Sequence, residues 1–160
     1  MISVSLDAFD LAILERLSAE GRATQAELGE AINLSGPAAG RRQRLLEERG
    51  LIKGYQAVLN LPALGFGTTV MVLVQLERQS SETITHFEEA VKISPSVASC
   101  HLLSGGEDYL LILLARDLQD FERIHRQELT KLPGVSRMQS LFGLREVVAR
   151  RVPPAALKCS

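Results

Sequence analysis

Cysteine is nearly absent: the 160 residues contain two, Cys100 and Cys159, the second next to the final residue. A disulfide framework is therefore excluded, and two thiols cannot complete a structural zinc site without histidine or carboxylate help. A general excess of positive charge is also missing, because the formal net charge is −1. From Met1 to Gly54 there are seven basic and eight acidic side chains, and from Tyr55 to Ser160 eleven of each. Affinity for nucleic acid must come from clustering, not from bulk charge. Long apolar runs are lacking as well. The longest, Tyr109 to Ala115, is far too short to span a bilayer. Met1 to Asp10 lacks the basic start and apolar centre of a secretory leader. A reducing cytoplasm is the expected compartment, with no membrane partner.

What remains is an ordinary folded composition, 46% hydrophobic and 23% charged, enough for one domain or two small ones. The first third carries helix signals in close succession. Leu11, Ile13, Leu14 and Leu17 recur at helical spacing, so a helix is expected over 7–19, ended by Gly21. Thr24 followed by Glu27 forms a capping box for a second helix running to Ala31 and Ile32. Asn33 tolerates the left-handed conformation of a tight turn. Ser35 then caps a third helix with Pro37 in its first turn, and Gly50 closes it. Residues 51–59 read as a short strand or wing, and the Pro- and Gly-bearing stretch Leu61 to Gly67 as a hinge or linker.

The third helix holds Arg41, Arg42 and Arg44, and no acidic residue occurs between Ala31 and Leu46. A capped helix, a four-residue turn and an arginine-bearing helix form the arrangement that presents a reading helix to a DNA major groove. Arginine suits that work because its planar fork bonds phosphate or guanine in a bidentate way. With Ala39, Gln43 and Leu46 on one side, Arg41 and Arg42 are expected to be free for phosphates or base edges.

The remaining two thirds alternate strand and helix signals. A β-branched strand over 68–77 precedes a helix capped by Ser81 and carrying Ile84, Phe87, Val91 and Ile93. A second strand over 97–104, a turn at Gly105-Gly106-Glu107 and a third strand over 108–115 follow. Asp117 caps a second helix bearing Leu118, Phe121, Ile124, Leu129 and Leu132, and a last strand is expected over 135–148. The order βαββαβ is that of a ferredoxin-like α+β sandwich. Residues 70–74 and 110–114 are apolar without alternation, so both sheet faces are expected to be buried. A second copy of the domain is the simplest cover, and a dimer would also set the spacing of two reading helices.

The series Leu6-Asp7, Asp10, Ile13-Leu14, Gly21-Arg22, Glu27-Leu28, Leu34-Ser35, Arg42, Leu46 and Gly50-x-Ile52-x-Gly54-Tyr55 resembles the Lrp/AsnC (feast/famine) family of transcriptional regulators. Its C-terminal counterpart is Gly105-x-x-Asp108-Tyr109-Leu110-Leu111 with Leu132-Pro133-Gly134-Val135. The resemblance implies a winged helix-turn-helix over 1–54, a strand and linker over 55–67, a βαββαβ effector-binding and oligomerisation domain over 68–150 of the dimeric α/β barrel type, and a tail over 151–160. It implies double-stranded DNA as partner, contacted by Gln25, Ser35, Gly36, Pro37, Ala38, Arg41, Arg42 and Arg44. It implies a homodimer, assembling further to an octamer, and a small amino-acid-like effector between sheet domains. Gly105, Gly106, Glu107, Asp108, Tyr109 and Ser140 would line that site. Glycines let backbone N–H groups face a carboxylate, and Asp108 would meet an ammonium. The chain departs from the family pattern at Gly40, a mid-helix glycine costing about 1 kcal/mol against alanine, at Gln43, and at Glu107.

Neither an enzyme motif nor a cofactor or metal site is expected, since His86, His101 and His125 fall on separate elements. Two alternatives stand beside the regulator. The same architecture resembles the sirohaem decarboxylases, which use histidines on a tetrapyrrole. A ligand-binding module that has lost DNA binding is the other.

Overall fold

The computed structural model describes residues 6–150 and 152–157; of the expected tail 151–160, Arg151 and 158–160, Cys159 among them, lie outside these. The chain divides into two compact units. One holds residues up to Val58 and resumes at Val148; the other runs from Leu59 to Val147.

The first unit is built by its caps. Helix α1 (Ala8–Ala19) begins at Asp7, whose side chain accepts from Asp10 N at 2.8 Å while the Asp10 carboxylate accepts from Asp7 N. Helix α2 (Gln25–Ala31) has the reciprocal Thr24–Glu27 box, and α3 (Gly36–Glu48) is capped by Ser35. These side chains satisfy backbone donors that helix starts leave unpaired. Asn33 takes φ 55° in the α2–α3 turn, and Gly50 takes φ 71° behind α3. Ile13, Leu28, Ile32, Ala39 and Leu46 form the core where the three helices meet.

Residues 51–59 form no strand. A strand needs a ladder partner for its N–H and C=O groups, and none of the described strands pairs with this segment. It is largely exposed, with Val58 at 90%, and Tyr55 ties it back to α3.

In the second unit β1 (Thr68–Leu76), α4 (Ser81–Ile93), β2 (Val97–Leu102), β3 (Tyr109–Ala115), α5 (Leu118–Gln127) and β4 (Val135–Phe142) follow in the expected order. The sheet is antiparallel with order β2-β3-β1-β4. Its helix-covered face buries Val70, Val72, Val74, Leu111 and Leu113 with Phe87, Val91, Phe121 and Ile124. The other face is not covered: Met71, Leu73, Leu110, Ile112 and Leu114 are each only partly buried.

Three local expectations shift. The cap of α4 is Ser80, which accepts from Thr83 N, and Ser81 is the first helical residue. Ile93 and Leu118 lie at a helix end and a helix start, 83% and 66% exposed instead of buried. Strand β4 stops at Phe142 because its partner stops: Phe142 pairs with Val70, Gly143 N donates to Thr69 O, and β1 begins at Thr68. No described helix is long and apolar enough to cross a membrane.

Candidate nucleic-acid interface and effector site

The face of α3 turned from the core carries Pro37, Arg41, Arg44 and Leu45, all exposed, with Ala38 half-buried beside them. Arg41 forms no ion pair among the described residues, and Arg44 donates from Nε to Gly40 O at a long 3.4 Å. Both guanidinium groups can therefore reach phosphate or base edges.

Arg42 does not share that freedom. One of its terminal nitrogens donates to Asp7 Oδ2 at 2.7 Å and Asp10 Oδ1 at 2.8 Å, and its guanidinium lies over the Phe9 ring. The expectation of an arginine open to DNA is corrected by these contacts: Asp10 is buried, and an unpaired buried carboxylate would be costly. Arg42 instead clamps α3 to the start of α1.

The α2–α3 approach is close because small residues line it. A methyl on Gly29 would fall 2.6 Å from Leu34 O and 2.9 Å from Gly36 N; one on Gly36 would meet Ala26 at 3.4 Å. A methyl on Gly40 would fall on the Gln25 amide, 2.6 Å from its Oε1. The mid-helix glycine thus leaves room for Gln25, the first residue of α2. Gln43 is also explained: its Nε2 donates to Tyr55 OH at 2.7 Å and Glu47 Oε1 at 3.2 Å. Sequence reading did not single out Gly29 or Phe9; a glycine in the last turn of α2 was the available signal.

The Asp10 N–H first, and the Arg42 guanidinium after it, hold the Asp7 carboxyl below its ordinary value of 3.8. A carboxyl depressed in the folded state stabilises it above its unfolded value and loses that contribution as pH falls through the folded one. The melting temperature of the full chain, followed by circular dichroism, is expected to hold above about pH 5 and to fall below about pH 4. Asp7→Asn should flatten that acid limb.

In the second unit the glycine hairpin joins β2 to β3. Gly105 and Gly106 are exposed, neither has positive φ, and a methyl on either would meet nothing within 4 Å. The chain's own packing does not require glycine at either position. Glu107 is half-buried beside them.

Asp108 and Tyr109 do not line the space beside these glycines. Asp108 Oδ2 accepts from Leu76 N at 2.7 Å and Oδ1 from Gln79 Nε2 at 2.6 Å, which braces the hairpin against the end of β1. Its oxygens are engaged by the chain instead of waiting for an ammonium. Tyr109 is 1% exposed, stacks on Phe87 at 4.6 Å and donates its hydroxyl to Glu88 at 2.9 Å. Burial first, and the Glu88 carboxylate second, push its phenol far above the usual range, so it remains a donor. Strand parity dictates this, since Tyr109 shares a face with Leu111 and Leu113. Ser140 pairs with Val72 on β4, two strands from β3 or about 10 Å across the sheet. One copy of the chain therefore does not bring Ser140 to the hairpin.

Comparison with known proteins agrees with both halves. Residues 6–53 match the winged helix-turn-helix DNA-binding family, and residues 69–153 the Lrp/AsnC ligand binding domain. The Bkd operon transcriptional regulator of Pseudomonas aeruginosa is 37% identical over 93% of this chain and 97% of its own length. The leucine-responsive regulatory protein of Rhizobium meliloti is 36% identical, over 92% and 94%. A Neisseria meningitidis transcriptional regulator, solved as its L-Met complex, superposes with a TM-score of 0.89 at 32% identity, covering 94% of this chain and 97% of that one. An AsnC family regulator from Agrobacterium tumefaciens gives 0.87 at 26%, over 93% and 97%.

Proposed function

The chain belongs to the Lrp/AsnC family of transcriptional regulators, and from that membership we propose how its two units read DNA and sense a ligand. Its DNA-binding function resides in the helix-turn-helix within residues 1–54, and its effector and oligomerisation functions in 68–150. Helix α3 enters the major groove. Arg41 and Arg44 supply the charged contacts; Ser35, Gly36, Pro37 and Ala38 bring its first turn close to the duplex, with Gln25 at the flank. The single observation that supports this most is the division of labour on α3: Arg42 is held by two carboxylates while Arg41 and Arg44 are exposed. It acts as a cytoplasmic regulator and not as an enzyme, in line with the transcriptional regulators it resembles.

Two copies pair through the helix-free sheet faces, and dimers assemble further, to an octamer. An amino-acid-like effector sits between sheet domains at Gly105, Gly106 and Glu107, with Ser140 supplied by a neighbouring copy. The regulator solved with L-Met makes an amino acid the first class to test.

DNA binding is tested on the protein's own upstream DNA by gel shift across a salt series. Arg41→Ala and Arg44→Ala are each expected to lower affinity by about tenfold and reduce the salt slope by about one unit. Arg42→Ala is expected to keep the slope and instead cost on the order of 2 kcal/mol of stability, by leaving Asp10 unpaired. Unchanged affinity in an Arg41/Arg44 double variant would refute the reading. The effector is tested by thermal shift against the common amino acids. A binder at a hundredfold excess over its dissociation constant is expected to stabilise the protein by about 2.7 kcal/mol. Gly106→Val should remove that shift while leaving the ligand-free melting temperature in place.

A further inference from the structure

At the end of the sheet opposite the glycine hairpin lies a cavity of about 560 Å³. The hairpin joins the end of β2 to the start of β3, whereas this cavity sits where β2 begins at Val97 and β3 ends at Ala115. Its volume falls in the range that takes small organic ligands. The apolar part of its wall is made by Leu61, Phe66, Val97, Leu114 and Ile124. Phe66 and Leu61 are held in place by a folded turn, with Phe66 N donating to Leu61 O at 2.9 Å and Leu64 N to Asn60 O at 3.2 Å.

Four charged groups face the cavity, Arg116, Arg123, Asp120 and Glu128, and three of them are already matched. Asp120 accepts from Arg123 at 2.7 Å and 2.9 Å through Oδ1, and from Arg116 N at 3.0 Å through Oδ2. Glu128 accepts from Ser94 Oγ at 2.5 Å, Ser96 Oγ at 2.6 Å and Ser96 N at 3.2 Å. Burial pushes the Glu128 carboxyl up, but the Ser94 and Ser96 bonds more than offset that and hold it below its ordinary value. Both carboxylates are thus occupied anions with few lone pairs left to offer. The Arg116 guanidinium has no carboxylate within ion-pair distance among the described residues, although Asp120 lies near enough to feel its charge; it sits over the Phe66 ring, 5.8 Å from centroid to guanidinium carbon.

We infer that this cavity is a second ligand site, for a small monocarboxylate with an apolar tail. The Arg116 fork takes the carboxylate in a bidentate pair, and the tail lies against Leu61, Phe66 and Val97. A cation would meet a guanidinium that no carboxylate contacts directly, and a dianion would lack a second free donor pair, since Arg123 is committed to Asp120. The site stands apart from the hairpin, and none of Gly105, Gly106 or Glu107 lines it. It also touches the segment 61–66, through which the chain passes from the DNA-binding unit into β1. A ligand here bears directly on that connection.

The test is isothermal titration of the full-length protein with 4-methylpentanoate and with phenylacetate, alongside the neutral 4-methylpentanamide. Saturable binding of at least one carboxylate is expected, with the amide not bound and the Phe66 ring resonances shifted in NMR spectra. Arg116→Gln, at an exposed position, is expected to fold normally and to weaken binding about tenfold or more. The inference is overturned if neither carboxylate binds saturably, if the amide binds equally well, or if Arg116→Gln binds as tightly as the parent. Because no hairpin residue is involved, such a result would leave the amino-acid site at Gly105–Glu107 to stand or fall on its own thermal-shift test.

Discussion

Replacing Gly29 by valine is expected to unfold the helix-turn-helix and abolish DNA binding. A Cβ at this position would lie 2.6 Å from Leu34 O, 2.9 Å from Gly36 N and 3.0 Å from Ser35 C. All three are backbone atoms of the turn between α2 and α3, so no rotamer change relieves the overlap. The same turn is closed by Leu34 N donating to Gly29 O at 2.9 Å. Moving the chain aside would break that bond and pull the Ser35 cap from α3. Overpacking of this kind costs about 3 kcal/mol or more, a large share of a small unit's stability. The check is a two-probe melt, with circular dichroism for the helices and gel shift for binding. Gly40→Ala supplies the contrast. The atoms nearest its new methyl all belong to the Gln25 side-chain amide, which can swing away, and the added helix propensity of about 1 kcal/mol offsets the disturbance. Gly105→Ala should change stability hardly at all, because nothing lies within 4 Å. A Gly29→Val protein that melts and binds like the parent would refute the close-packed turn.

Local chemistry was the part most legible in the sequence. Thr24, Ser35 and Asn33 act on backbone within three residues of themselves, so those two caps and the turn could be read directly. The βαββαβ order could be read for the same reason, from periodicity inside each segment. Arg42 could not: its partners Asp7 and Asp10 are 35 and 32 residues away, and which of three neighbouring arginines meets them depends on how α3 crosses α1. Asp108 is similar, with its partner at Leu76 N, 32 residues earlier. Gly40 looked like a weakness within its helix and makes sense only once Gln25 lies across it. Tyr109 is a different kind of miss. Strand parity already set it on the face of Leu111 and Leu113, whereas the family motif placed it among the effector-lining residues.

The same parity marks where the second large effect should fall. In β1 and β3 the apolar residues that do not face the helices are Met71, Leu73, Leu110, Ile112 and Leu114, and the register sets Met71 opposite Ile112 and Leu73 opposite Leu110. Leu141 of β4 stands beside Met71 on the same face. These side chains form one contiguous apolar surface in the middle of the sheet, the position where two-fold pairing of sheets would bury it. Ile112→Asp puts a carboxylate at its centre. Within a single copy the residue is only partly buried, so the fold should survive with nearly the parent's helix and strand content. In a dimer paired on this face, a two-fold axis would double the change, and two carboxylates would lose water without a partner. At roughly 2 to 3 kcal/mol each, the dimer dissociation constant should rise by about three orders of magnitude or more. Sedimentation at micromolar protein should then show the monomer. DNA affinity should fall with it, by about a hundredfold or more, since the two α3 helices would no longer be tethered at one spacing. The two readouts separate the possible failures. A monomer that still binds DNA at parental affinity would mean that reading does not need the pair. An unchanged assembly would mean that the helix-free face is not the one that pairs.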